Sequence, residues 1–171
     1  MITSLTPDFK TQSLHYLHLN TPRIEKCLAL LSEVEVWQRP NAASNSVGNL
    51  ILHLCGNIRQ YIISGLGQQP DTRERDAEFA ANEGFTKQEL LQKLTDTVAE
   101  AATVIELADD NNLLNEWKVQ GYTLTGIGII IHVVEHYSYH TGQIAFWTKL
   151  LQDEDLAFYG DQDLNVRNEV C

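Results

Sequence analysis

Apolar residues recur at helical spacing in four long segments of the chain. The first begins at residues 6–8, Thr-Pro-Asp, which combine a cap residue, a first-turn proline and a first-turn acid. It keeps its period to about Ser32, but cap-like residues and a proline at 20–22 interrupt it, so we expect a kink or a restart there. After an asparagine-rich connection, the pattern predicts a second helix from about Ser46 to Ser64.

A long polar connection separates the second predicted helix from the third. Residues 65–85 are poor in aliphatic side chains and are punctuated by glycine and proline. Connections longer than about 12–15 residues in compact domains are often functional or partly helical, so we expect this one to cover part of a pocket. Its charged residues are interpreted as a solvated stretch: Arg73, Glu74, Arg75, Asp76 and Glu78.

The second half of the chain contains two more predicted helices. Thr86 opens a capping box ahead of the third helix, which we expect to end near Asp109. The fourth helix should begin at Thr123 or Thr125 and end near Gln152. The residues that follow it are expected to form a loosely docked tail.

These four amphipathic helices determine the predicted fold class. No run of alternating strands and no internal repeat is evident in the sequence, so the pattern predicts an all-α fold, a four-helix bundle. The length of 171 residues fits a single domain, residues 1–171, around one core.

Histidines are concentrated in the fourth predicted helix. His132, His136 and His140 recur every fourth residue and therefore form one row along it. Imidazoles at positions i and i+4 can bind one metal ion, as in HExxH helices. The outer two are about 12 Å apart along the axis at roughly 1.5 Å per residue, so one ion binds either 132/136 or 136/140. A third ligand must come from another helix, and His53 is the best candidate.

Each of these residues also has a simpler interpretation. A single histidine in an apolar helix, such as His53, is more often a hydrogen-bonded core residue than a metal ligand. Burying several imidazoles is costly unless each finds a partner, and a shared cation supplies one. Asn49 and Asn57 lie four residues on either side of His53 on the same helical face, and we consider them as neighbours of the site or as substrate contacts.

Composition and charge exclude several classes of function. A net charge of -11 argues against binding of nucleic acid phosphates, and it disfavours anionic membranes for the same reason. The three cysteines show no CxxC spacing, which is typical of a reducing compartment. No apolar run is long enough to cross a bilayer, and the first residues lack the features of a signal peptide. We therefore expect a soluble cytoplasmic protein.

Two segments of the sequence resemble a known superfamily. SNSVGNLILHLCGNIRQYI at 44–62 and HVVEHYSYHTGQIAFWTKLL at 132–151 are similar to the DinB/YfiT-like superfamily, in a branch of small uncharacterised bacterial proteins. The resemblance implies a four-helix bundle that binds a metal through one histidine of the second helix and an HxxxH pair before a Gly-Gln dipeptide. The implied ligands are His53, His136 and His140. Further residues are then expected beside the metal or in the pocket: His132, Asn49, Asn57, Tyr137 and Gln143.

The resemblance also implies a chemistry. Three neutral imidazoles leave a metal ion its charge and an exchangeable position, and zinc or nickel suits them best, with iron and cobalt as alternatives. The superfamily includes thiol-dependent S-transferases and hydrolases, so an enzyme acting on a small molecule is implied, as is a homodimer. The alternatives are a non-catalytic metal- or ligand-binding protein and a structural dimeric bundle. No catalytic residue is evident, because Glu135 is the one nearby acid and its direction is adverse.

Overall fold

Helices form almost all of the regular structure. The computed structural model describes residues 5–160 and 162–169. The elements are, in chain order, α1 (Leu5–Leu30), α2 (Glu33–Trp37), α3 (Val47–Ile58), a π-helix (Arg59–Leu66) that continues α3, α4 (Arg75–Ala80), α5 (Lys87–Leu107), α6 (Asp110–Leu114), β1 (Glu116–Val119), β2 (Tyr122–Thr125) and α7 (Gly126–Gln152). None of the described helices combines the length and the apolarity that a membrane span needs.

The four long helices form a bundle. Helix α1 packs against α5 and α7, and α3 with its π-helical continuation packs against the same two helices from the other side. Their apolar faces meet in one core, in which Leu17, Ile51, Leu94 and Ile144 are completely buried. The predicted all-α four-helix bundle is therefore confirmed.

Three of the long helices begin where the capping pattern predicts. Ser46 and Thr86 each form a capping box, in which the cap hydroxyl accepts from the third helical N–H and the third side chain returns a hydrogen bond. Thr125 caps α7 by accepting from the backbone N–H of Gly128, so the later of the two predicted start positions is the correct one.

Helix α1 does not restart at its proline. Pro22 lies inside a continuous helix, although a proline within a helix costs about 3 kcal/mol relative to alanine. Apolar residues on both sides of it keep the same face: Leu17 and Ile24 are fully buried, and burial of one such side chain contributes about 1.5–3 kcal/mol. Packing against the bundle therefore outweighs the local break. The predicted restart is wrong, whereas the alternative, a kink at the proline, stays a prediction.

The sequence pattern missed a β-hairpin between α6 and α7. β1 and β2 pair antiparallel through a two-residue turn at Gln120 and Gly121, which have φ of 50° and 83°. Two positive φ values are typical of the tight turns that suit the twist of a hairpin. Each strand has only four residues, too few for their alternation to stand out in the sequence.

The C-terminal segment is anchored at two points. Leu156 is buried, and the guanidinium of Arg23 on α1 lies 5.4 Å from the ring centres of both Phe158 and Tyr159. The exposed side chains of Leu164 and Val166 beyond them agree with the expected loose docking.

Candidate metal centre

Three histidines from two facing helices meet inside the bundle. His53 comes from α3, and His136 and His140 come from α7. One ring nitrogen from each lies within 4.8 Å of the other two. His53 Nε2 is 2.9 Å from His136 Nε2, and the rings of His136 and His140 are 4.4 Å apart at their centres. The structure thus brings together the three residues that the sequence and the resemblance single out as metal ligands.

His132 lies one turn away from this group. Its ring stacks on that of His136, with centres 5.3 Å apart, and on the other side on Tyr61, at 4.2 Å. Its Nε2 is 3.3 Å from Nδ2 of Asn57. Of the two pairs that helical spacing allows, 136/140 is therefore the pair that faces His53.

Burial keeps the histidines of α7 neutral. Burial, with the neighbouring His140 and His53 acting in the same direction, lowers the pKa of His136 to about 3. Burial likewise lowers the pKa values of His132 and His140. A neutral imidazole is the form that binds a metal, so these nitrogens need lose no proton to do so at neutral pH.

The three nitrogens are suited to one divalent cation. Zinc binds imidazole nitrogen at about 2.0–2.1 Å and takes three protein ligands in catalytic sites. Donors that lie within 4.8 Å of one another require only small side-chain movements to reach such distances. The described residues supply no thiolate or carboxylate to this group, so its donors are imidazole nitrogens alone.

A buried carboxylate orients His53. Glu78 Oε2 lies 3.0 Å from Nδ1 of His53. Glu78 also accepts two hydrogen bonds from Arg73, from Nε to Oε1 at 2.7 Å and from Nη2 to Oε2 at 2.8 Å. Arg73 Nη2 is itself 3.0 Å from the same Nδ1. A guanidinium can only donate hydrogen bonds. When Nδ1 of His53 carries a proton, both Nδ1 and Arg73 Nη2 are therefore donors, and the Glu78 carboxylate accepts from both.

The charge of Glu78 follows from these contacts. Burial by itself raises the pKa of this carboxyl group, but the hydrogen bonds from Arg73 and His53 outweigh burial and hold the pKa below its usual value. An ionised Glu78 that accepts from Nδ1–H leaves the lone pair of His53 on Nε2, which faces the other two histidines. A carboxylate beside a metal-binding histidine commonly has this orienting role.

The solvated stretch predicted for residues 73–78 is wrong at two positions. The side chains of Arg73 and Glu78 are only 2% and 10% exposed. Gly56 on α3 makes room for this ion pair, since a Cβ atom there would lie 1.8 Å from Glu78 Oε1. The side chains of Glu74, Arg75 and Asp76 are exposed, as the interpretation of a solvated stretch predicts. Sequence spacing did not reveal the buried pair, because the partner of each charge is defined only by the tertiary fold.

Gln143 has the same relation to His140 that Glu78 has to His53. Its Oε1 lies 2.7 Å from Nδ1 of His140, and its Nε2 donates to the hydroxyl of Tyr139. A side-chain carbonyl oxygen accepts a proton from Nδ1, which leaves Nε2 of His140 as the free donor to a metal. Gln143 was expected beside the metal or in the pocket, and its contact with Nδ1 of His140 explains how it acts on the site.

The other predicted neighbours of the site differ in position. Asn49 completes the capping box of α3 by accepting from the backbone N–H of Ser46, and its Nδ2 donates to the backbone carbonyls of Glu78 and Ala81, so it fixes the connection that carries Glu78. Tyr137 is fully buried, and its hydroxyl bonds to Thr21 on α1 at 2.8 Å. Its side chain therefore points toward α1, and Tyr137 is not among the described residues that line the cavity beside the histidines.

A cavity of about 600 Å³ adjoins the histidines. His53 and His136 form its inner wall, together with His132 and Asn57. The β-hairpin forms its outer wall, and the Tyr61 hydroxyl fastens the hairpin to the π-helix by donating to Gln120 Oε1 at 2.8 Å. A cavity of this volume is in the range that binds small molecules.

The connection between α3 and α5 also reaches the cavity. Phe79 on α4 packs on the ring of His53 with centres 4.7 Å apart, and Arg75 lines the cavity. The expectation that residues 65–85 cover part of a pocket is thus met. The hairpin residues Tyr122 and Leu124 complete the wall, and no sequence signal connected them with the histidines.

Comparison with known proteins assigns the chain to a family. Residues 8–159 match the family described as "Protein of unknown function (DUF1572)". The chain belongs to the DUF1572 family. A comparison with curated proteins found no match for this DUF1572 chain.

Solved structures similar to this DUF1572 chain share its fold. A conserved protein from Enterococcus faecalis superposes with a TM-score of 0.72 at 18% identity, covering 84% of this chain and 97% of its own. The DinB-like protein YjoA from Bacillus subtilis gives 0.66 at 15% identity, with 86% and 97% covered. A DinB-like protein from Bacillus cereus gives 0.64 at 16% identity, with 83% and 90% covered. The fold is therefore DinB-like, and the resemblance noted in the sequence is confirmed at this level.

Proposed function

We propose that this DUF1572 protein is a divalent-metal-dependent enzyme acting on a small molecule, of the thiol S-transferase or hydrolase type. One observation carries the proposal: His53, His136 and His140 converge on one point, and two of them, His53 and His136, line a cavity large enough for a small substrate. A site that only stored metal or stabilised the bundle would need no such cavity beside its ligands.

The proposed ligands are the three imidazoles, and zinc or nickel is the proposed metal, with iron and cobalt as alternatives. When bound, the ion supplies Lewis acidity, which lowers the pKa of a thiol or a water molecule and polarises a substrate carbonyl. Glu78 and Gln143 keep the ligand nitrogens of His53 and His140 turned toward the ion.

The composition of the cavity wall favours the transferase over the hydrolase. None of the described residues that line the cavity is Asp or Glu, so none offers a carboxylate as a general base for attack by water. A thiol has a pKa near 8.5 and loses its proton more readily than water does, so it needs less help from a base. Thiol transfer is therefore the first activity to test.

The test is an activity screen on the metal-loaded protein. Conjugation of small thiols to electrophiles, and hydrolysis of esters and amides, are measured with and without a chelator. The proposal predicts a thiol-dependent activity that the chelator removes, that added metal restores and that His53→Ala lacks. Stoichiometric metal without turnover on any substrate class would instead favour the non-catalytic metal-binding alternative.

A further inference from the structure

Among the described residues that line the cavity beside the histidines, one carries a charged side chain. Arg75 contributes this positive charge, and the remaining lining residues are tyrosine, asparagine, glutamine, leucine, glycine and histidine. A wall that carries a cation and no carboxylate contrasts with the net charge of -11 for the whole chain.

Arg75 is held beside the site. Its guanidinium lies 4.8 Å from the centre of the Phe79 ring, and that ring packs on His53. Contact between a guanidinium and an aromatic face is favourable, because the face of the ring is electron-rich. The contact orients the cation without consuming its hydrogen-bond donors.

The donors of Arg75 have no partner in the described part of the chain. Arg73 pairs with Glu78 and Arg59 pairs with Glu100, whereas Arg75 forms no ion pair and donates no side-chain hydrogen bond to a described residue. A guanidinium presents a planar fork of donors that matches a carboxylate in bidentate geometry. Arg75 is therefore equipped to bind an anion that enters the cavity.

We propose that the cavity binds a small organic anion whose carboxylate pairs with Arg75 while another of its groups reaches the histidine cluster. Tyr61, Tyr122 and Leu124 then contact the apolar part of the molecule between these two ends. The inference rests on the proposed function, because the second group is the one that the metal binds. It excludes cationic substrates, which would meet the charge of Arg75 with no compensating carboxylate in the wall.

A matched pair of thiols tests the charge preference. The probes are 3-mercaptopropionate and its neutral amide, 3-mercaptopropionamide, which share the thiol and the carbon skeleton. They are titrated into the full-length cobalt-loaded protein, and binding is followed by the absorption that a thiolate produces on cobalt. The acid is expected to bind about tenfold more tightly than the amide, the scale of one partly solvated charge-assisted pair.

Variants assign this preference to Arg75. Arg75→Gln should remove the preference by weakening the acid about tenfold and leaving the amide unchanged, and Arg75→Lys should retain part of it. Arg23→Gln is the control, because Arg23 also lies over aromatic rings but outside the cavity. An unchanged preference in Arg75→Gln, equal weakening of both thiols, or binding of neither thiol to the wild-type protein would overturn the inference.

The same experiment separates this inference from the proposed function. If the wild-type protein binds no cobalt, or if His53→Ala binds it equally well, the metal site itself is wrong and the anion inference falls with it. If cobalt binds through the histidines but the acid has no advantage over the amide, only the anion inference is overturned.

Discussion

Glu78 determines which nitrogen of His53 faces the other two histidines. An imidazole has two similar nitrogens, and a metal site requires that the one toward the ion be unprotonated. The carboxylate accepts from Nδ1 at 3.0 Å, and Arg73 holds that carboxylate in place with two further hydrogen bonds. The candidate site therefore extends past its three ligands to an ion pair on the connection between α3 and α5.

Replacing Glu78 by glutamine tests this orienting role. Glu78→Gln should weaken metal affinity about 10–100-fold, the usual range for partners of metal-binding histidines, because the amide holds Nδ1–H less firmly and its own N–H groups face Arg73. Affinity is measured by competition with a chromophoric chelator. Glu83→Gln, which makes the same change at an exposed position, should match the wild type. Equal affinities for both variants would exclude the role of Glu78.

The roles of Arg73 and Glu78 at the site were not predictable from the sequence. Histidine spacing, which follows from local helix geometry, restricts the ligands on α7 to His132/His136 or His136/His140, and the resemblance to the superfamily selects the second pair together with His53. Arg73 and Glu78 lie in a stretch that has the polarity of a solvated loop, and their burial depends on contacts with α3 that no local pattern encodes. The metal candidates are therefore predictable from sequence, whereas the groups that orient them are not.

Elements pack closely where α4 crosses α3. Gly56 lies at the crossing, and an added Cβ atom would approach Glu78 Oε1 to 1.8 Å and Arg73 Nε to 2.9 Å. By contrast, a Cβ atom on Gly142 of α7 would have no described neighbour within 4 Å. The same substitution thus has opposite consequences at these two helical glycines.

Alanine at each glycine tests the packing of α4 on α3. Gly56→Ala should displace Glu78 from Arg73, lower the free energy of unfolding by about 1–3 kcal/mol through the unpaired buried charge, and weaken metal affinity about tenfold or more. Gly142→Ala should leave metal affinity unchanged and raise stability by about 0.5–1 kcal/mol, because alanine favours a helix. Urea unfolding and chelator competition give both quantities. Full metal affinity in Gly56→Ala would contradict the close packing.

Among the elements, those with strong local signals were predicted and those without were not. Capping residues at Ser46, Thr86 and Thr125 marked the starts of α3, α5 and α7. The proline in α1 was a misleading local signal, because packing against α5 and α7 outweighs it. The hairpin is defined by a turn of only two residues and by contacts with the π-helix, such as the bond from Tyr61 to Gln120.

The whole molecule presents an apolar stripe along the outer face of α7. Four large side chains of this helix are exposed: Ile131, Tyr139, Phe146 and Leu150. At about 100° per residue, the last three lie within about 40° of one another around the helix axis, and Ile131 lies about 60–100° from them. Exposed apolar patches of this kind often mark protein interfaces. We propose this stripe as the interface of the homodimer that the resemblance implies.

Light scattering tests the proposed dimer. At micromolar concentration the protein should have twice the mass of one chain, and Phe146→Glu should shift it toward the monomer by placing a charge in the interface. The control variant Leu107→Glu introduces the same charge at an exposed leucine outside the stripe, at the end of α5, and should remain dimeric. A monomeric wild-type protein would remove the proposal.

Metal stoichiometry in histidine variants tests the central claim most directly. Elemental analysis of the wild-type protein should give one divalent ion per chain. The control variant His18→Ala, at an exposed position on α1, should give the same value. His53→Ala, His136→Ala and His140→Ala should each lose the metal while circular dichroism shows an intact bundle, since the helices bury their apolar faces without the ion. His132→Ala should keep the metal, at most about 10–100-fold more weakly bound. Stoichiometric metal in His53→Ala, or an empty His132→Ala beside a full His140→Ala, would contradict the site.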